Sequence, residues 1–132
     1  AYQLAMPIVY EAGLMIYAEH GKKLLDWPGR ELIKDIPSTW DEIKYIEGMP
    51  ASHIVIARRK GNEWYIGGMT DEARTIDIQL NFLDKGKRYD AFIFSDETHT
   101  TMKKELKQVT NNDSLSFTLL ERGGFALRLS TN

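Results

Sequence analysis

The side chains able to do acid–base or ligand chemistry in this chain are scattered rather than gathered. Adjacent carboxylates occur at Asp41-Glu42, Asp71-Glu72 and Asp96-Glu97. Hydrolysis of a glycosidic bond needs two carboxyl groups flanking it, roughly 5 to 10 Å apart. Neighbours on an extended backbone point to opposite faces, so these pairs read as solvated turn and loop charge rather than as dyads. The run Asp96-Glu97-Thr98-His99 lies in the longest loop and, without further ligands, could hold a cation only weakly. His20, His53 and His99 are far apart in sequence, and none stands at metal-ligand spacing from another. Structural or solvent roles are expected for all of them; His20, just before Gly21, suits a helix C-terminus. The chain has no cysteine, which removes disulfides, thiol catalysis and cysteine-based zinc sites. No nucleophile elbow, zinc-protease helix, P-loop or dinucleotide fingerprint is present. The expected sets of catalytic and metal-binding residues are therefore empty.

Aromatic rings offer a different chemistry, because sugar faces stack on them. The candidates for carbohydrate contact are Trp40, Trp64 and Tyr65, with Trp27 as a further ring. Trp64 and Tyr65 are consecutive on a predicted strand, so one should face the core and the other should face out. Core packing is the plainer reading of Trp64. Trp40, just before the first strand, is expected to pack between the helical segment and the sheets.

Two unlike stretches must position these residues. Residues 1–36 are helical in character, and residues 37–132 read as a β-sandwich domain. Leu4 to Ala18 is apolar nearly all round, which marks a buried or membrane-spanning helix rather than a surface one. A span needs about 20 apolar residues; this run is shorter and is interrupted by Glu11 and Gly13. A helix lying against a large neighbour is expected instead, with Leu4, Ile8, Leu14 and Met15 at the interface. The excised chain should either expose them as a patch, through which it could form a homodimer, or fold the helix onto its own sheets. A second short helix is expected over 28–34, with Asp26 as N-cap and Pro28 inside its start.

From about residue 40 onward the pattern alternates with period two between turn signals. It predicts strands at 43–47, 53–59, 63–69, 75–82, 88–94, 104–109, 114–120 and 124–129. Turn residues punctuate them at Lys60-Gly61-Asn62, Asp84-Lys85-Gly86, Asn111-Asn112-Asp113 and Arg122-Gly123-Gly124. Many short strands spaced this way imply a mainly β protein: an antiparallel sandwich of about eight strands with Greek-key links, preceded by one or two α-helices. The net charge of −2 gives no general attraction to nucleic acid or anionic lipid. The basic runs Arg58-Arg59-Lys60 and Lys85-Gly86-Lys87-Arg88 read as solvated hairpin ends. The start, Ala1-Tyr2-Gln3, has neither a basic region nor a cleavage site of a signal peptide, as expected of a processed protein or an excised fragment.

Several stretches resemble a known family. Residues 34–42, with Asp35-Ile36-Pro37-Ser38-Thr39-Trp40-Asp41-Glu42 at their centre, are similar to the "DIPTTWDET" junction of family 97 glycoside hydrolases, the group of α-glucosidases and α-galactosidases. The stretch from His53 to Gly68 resembles that family's "YVVVARRKGDEWYVG" hairpin, and Gly123 to Arg128 resembles its closing "GGFAIRF" strand. Gln3 to Met15 resembles the last barrel helix, "QLALYVVYESPLQM". Ser38 and Ile43 depart mildly from the junction, and residues 19–24 match weakly. The resemblance implies a carboxy-terminal accessory β-sandwich behind a (β/α)8 barrel. The barrel would carry the catalytic carboxylates and a calcium ion, so no such residue transfers to this chain. It also implies a periplasmic enzyme hydrolysing α-glucosides or α-galactosides, with the barrel of the same parent chain as this region's partner. An independent module binding α-linked carbohydrate is the alternative, and a self-contained enzyme is disfavoured by the motif search.

Overall fold

The structure, a computed structural model, describes residues 1–12, 14, 16–17 and 20–131. Among the described residues eight strands follow three short helices. The strands are β1 (Glu42–Met49), β2 (His53–Lys60), β3 (Glu63–Thr70), β4 (Arg74–Gln79), β5 (Tyr89–Asp96), β6 (Met102–Val109), β7 (Ser114–Leu119) and β8 (Gly124–Ser130). Every expected strand is present, with ends shifted by a few residues. Six of them form one antiparallel sheet in the order β1-β2-β3-β8-β5-β6, and β4 and β7 form a second, two-stranded sheet. The chain crosses to the small sheet at β4, returns to the large sheet for β5 and β6, crosses again at β7 and comes back at β8, which lies between β3 and β5; these crossing connections are of Greek-key type.

Alternation decides which side chains meet. The inner face of the large sheet buries Val55, Ala57, Trp64, Ile66, Ile93 and Leu127 against Ile76, Ile78, Phe117 and Leu119 of the small sheet. Phe117 and Phe125 stack at 3.8 Å between ring centroids across this core. Gly68, paired with Phe125, makes the room: a Cβ there would lie 2.1 Å from the Phe125 ring.

The outer face is covered by the helical segment of the same chain. Helix α1 (Tyr2–Val9) lies across the centre of the sheet. Its Leu4 and Ile8 are fully buried with Tyr65, Phe94 and Ala126, while Ala5 and Val9 meet Met69. Each such aliphatic side chain contributes about 1.5–3 kcal/mol by leaving water. Gly67 lets the helix come this close, because a Cβ there would stand 3.0 Å from the Ala5 carbonyl oxygen and the Ile8 Cβ.

The helical expectations need correction. Helix α1 ends at Val9 instead of running to Ala18, since Tyr10 is already extended. The Arg58 side chain explains the stop. Its Nε and Nη2 donate to the Ile8 and Val9 carbonyls at 2.5 and 3.2 Å, occupying acceptors that a longer helix would use. The helix expected over 28–34 is present as α3 (Arg30–Asp35), and an additional short helix, α2 (Gly21–Asp26), precedes it. His20 is the N-cap of α2 rather than a C-terminal residue: its Nδ1 accepts from the Lys22 N–H at 3.3 Å. Asp26 ends α2, and Gly29, with Leu4 packed on its Cα, is the N-cap of α3.

Gly68→Ala is expected to destabilise the fold by about 1–3 kcal/mol, because the added methyl overpacks against Phe125. Gly21→Ala, where a Cβ meets nothing within 4 Å, is the control and should leave stability within about 0.5 kcal/mol. Urea unfolding of the two variants checks both values.

Candidate functional site

Two polar joints fasten the helices to the sheet. The first holds the segment leading into β1. Trp40 packs edge-on against Tyr65, with ring centroids 5.4 Å apart, and the Arg58 guanidinium sits 5.8 Å from the Trp40 ring. The Tyr65 hydroxyl lies 3.0 Å from the Asp35 carbonyl and 2.8 Å from the Glu63 carboxylate, and Asp35 also pairs with Arg128. Burial, then the hydrogen bond to Glu63 and its charge, hold the Tyr65 phenol well above the ordinary tyrosine range. The second joint is Asp96 at the end of β5. One of its oxygens accepts from the Ala1 nitrogen and the other from the Gly124 N–H at 2.7 Å. One carboxylate thus ties the start of α1 to the start of β8.

Around Ala1 the strand ends surround an open groove of about 1200 Å³. Its apolar and aromatic lining comes from Tyr2, Tyr10, Trp27, Tyr45, Met49 and Met102. Tyr10, Tyr45 and Met49 are more than half exposed, as is Leu14 beyond α1. This concave surface spans the end of the sheet where α1 begins.

Of the residues singled out from sequence, Trp27, His53, Asp71, Asp96 and His99 line the groove, whereas Trp40, Trp64, Tyr65, Leu4, Ile8 and Leu14 do not. Trp64 and Tyr65 are 5% and 1% exposed; neither faces out, because the sheet is covered on both sides. The expectation of one buried and one solvent-facing ring fails for that reason. Trp64 packs edge-on against Phe82 at 4.9 Å. Trp40 is half-buried in the joint just described. Leu4 and Ile8 are covered by this chain's own sheet and Leu14 is exposed; Met15 lies outside the described residues. Members of two of the carboxylate pairs act as structural acceptors. Asp41 accepts from the Gly61 N–H at 2.7 Å, Glu42 pairs with Lys44 and Arg59 at 3.0 Å, and Asp96 anchors Ala1. His53 sits between Arg74, Ser52 and Glu47, and His99 is exposed. Among the described residues no three His, Asp or Glu side chains come together as a metal site.

Sequence reasoning missed Arg58 and Asp96. The basic run at 58–60 reads as solvated, yet Arg58 is 3% exposed. The available signal was its place on the same face as Ile54 and Ile56, where an unpaired charge would be costly. Asp96 gave no local signal, since its partners lie 95 and 28 residues away.

Comparison with known proteins covers nearly the whole chain. Residues 39–130 match the family described as "Glycosyl-hydrolase 97 C-terminal, oligomerisation". The retaining alpha-galactosidase of Bacteroides thetaiotaomicron is 34% identical over 134 aligned residues, which cover 96% of this chain and 20% of that protein. A probable retaining alpha-galactosidase of Streptomyces bingchenggensis is 27% identical over 96% of this chain and 20% of its own length. A glycoside hydrolase family 97 enzyme from Pseudoalteromonas sp. strain K8, solved in complex with acarbose, superposes with a TM-score of 0.93 at 34% identity, over 100% of this chain and 22% of that one. The chain thus spans about a fifth of the length of the relatives it matches.

The raised Tyr65 pKa carries a prediction whose sign is fixed. An unfolded tyrosine ionises near pH 10, while the folded phenol resists ionisation to higher pH. Its stabilising effect is therefore complete below about pH 10 and is lost as the pH rises above it. Tyr65→Phe should lower stability at neutral pH by about 1 kcal/mol through the lost hydrogen bond. It should also make the decline above pH 10 shallower than in the parent chain, leaving the weaker contributions of Tyr2 and Tyr17. Thermal unfolding between pH 7 and 11.5 measures both effects.

Proposed function

This chain belongs to the glycosyl-hydrolase 97 C-terminal family, and on that premise we propose that it is the non-catalytic accessory β-sandwich of a family 97 glycoside hydrolase, bracing the enzyme's catalytic barrel. The single observation that carries the reading is the groove at the end of the sheet, lined by the exposed Tyr10, Tyr45 and Met49. These side chains supply an apolar surface that a neighbouring body such as the barrel would cover. The alpha-galactosidase relatives and the acarbose-bound homologue support a parent enzyme acting on α-galactosides or α-glucosides. Chemistry stays with the barrel in this reading, as does the calcium ion that the family resemblance implies, and we assign the enzyme to the periplasm on the same ground. The "oligomerisation" in the family description supports a second role, contact between copies of the enzyme.

A carbohydrate-binding module is the alternative, favoured by one observation: the groove displays Tyr10, Tyr45 and Trp27 together, and such rings are able to stack on sugars. Bracing and sugar binding make different demands on the same surface.

In the full-length enzyme, replacing Tyr45 and Met49 together by serine should lower the unfolding temperature by several degrees and leave kcat on a nitrophenyl α-glycoside within about twofold. In the isolated chain the same pair, being exposed, should shift stability by no more than about 0.5 kcal/mol. Equal effects in both contexts would remove the bracing role. Titration calorimetry of the isolated chain with maltooligosaccharides and galactosides should register no binding at millimolar sugar. Saturable heat that vanishes in Tyr45→Ala would instead establish the module.

A further inference from the structure

We infer that strand β6 is a pairing edge for a second copy of this chain, joined antiparallel about a two-fold axis at Leu106, so that two six-stranded sheets become one continuous sheet. The inference rests on the reading of this domain as an oligomer contact and names the surface and register that would serve it.

The large sheet ends in two unpaired strands, β1 and β6. An unpaired edge presents free N–H and C=O groups to any strand that can align with it. β1 is poorly suited, because its register slips between Tyr45 and Glu47, and a bulge of this kind bends the edge away from further pairing. β6 is regular over its full length: it pairs residue for residue with β5 from Tyr89↔Val109 to Asp96↔Met102. Natural edges are often protected by charged side chains, lysine especially. β6 carries Lys103, Lys104 and Lys107, but Glu105 and Leu106 stand among them. On one face Lys103, Glu105 and Lys107 follow one another, with Glu105 within 3.5 Å of Lys103 and 3.4 Å of Lys107. On the other face Leu106 is 72% exposed, beside Phe92 on the neighbouring strand, while Lys104 is already neutralised by Glu31 of α3.

An antiparallel copy centred on Leu106 makes this pattern self-complementary. Leu106 then faces its own symmetry mate. Glu105 faces Lys107 of the other copy, and Lys107 faces its Glu105, which places two opposite-charge pairs around one apolar contact. Lys104 meets Gln108 and Lys103 meets Val109, so no like charges are set directly opposite each other. Such a closed, isologous contact gives a dimer rather than a fibre. The area of one strand pair is small, so the contact is weak in the isolated chain and would be reinforced where other parts of the enzyme also touch.

Charge exchange tests the register without disturbing the core, since Glu105, Leu106 and Lys107 are surface residues. Sedimentation velocity of the 132-residue chain over a concentration series would be compared at low and moderate salt. E105K and K107E should each weaken the dimer by roughly tenfold, because each turns two cross-strand attractions into repulsions. The double variant E105K/K107E should restore it, and Leu106→Asp should abolish it. A dimer that ignores all of these changes would overturn the β6 edge while leaving the oligomer reading standing. A dimer weakened by E105K and indifferent to K107E would overturn the register. A chain that stays monomeric at every concentration, with the full-length enzyme monomeric too, would overturn the oligomer reading together with the edge.

Discussion

The whole arrangement depends on a sheet whose central strands, β3 and β8, are buried on both faces. A sheet face left bare in water must be polar, and these strands are not: β3 is buried at seven consecutive positions from Trp64 to Thr70. The second sheet, β4 and β7, covers one side. The other side needs a cover that β hairpins of this chain do not supply, and α1 and α3 provide it. Gly67 and Gly68 serve the two sides in turn. One admits a helix backbone and the other an aromatic ring. The dense core and the helical cap are therefore one construction, coupled through a single strand.

That coupling explains why the opening segment behaves differently from its composition. An all-round apolar helix was expected because nearly every residue of 4–18 is apolar. The sheet buries only as much helix as fits across it, and Arg58 closes the end of the seated portion by taking the Ile8 and Val9 carbonyls. The greasy character of the run thus divides into two: a first part satisfied within the chain and a second part whose Tyr10, Leu14 and Ile16 are exposed.

The β pattern was legible because period-two alternation and turn chemistry are local. Ile76, Ile78 and Leu80, or Leu115, Phe117 and Leu119, declare a one-sided strand without reference to anything distant, and these are the strands of the small sheet, which is covered on one face. The central strand is where the same reasoning broke down. Trp64 and Tyr65 looked like an inside–outside pair because alternation presumes a solvent face, and here that face is occupied by helices 30 to 60 residues earlier in the chain. The resemblance of the Asp35-to-Glu42 junction supplied the family, while the helix boundaries and the Asp96 clip depended on contacts across the fold that no local pattern encodes.

The groove and the β6 edge occupy different parts of the sheet, and this separation is itself a consequence of the topology. The groove runs along one end, touching the β1–β2 turn, the end of β3, the start of β8 and the β5–β6 loop. It opens there because α1 starts at that end and leaves the strand tips uncovered. The β6 edge leads away from the groove, from Met102, which lines it, to Val109, which does not. A body seated on the tips would leave most of that edge free, since strand tips offer side chains and turns, whereas an edge offers backbone. A sandwich braced at one end can therefore still present an unpaired strand at its flank, and the same small domain can serve a partner within its own chain and a second copy without one contact excluding the other.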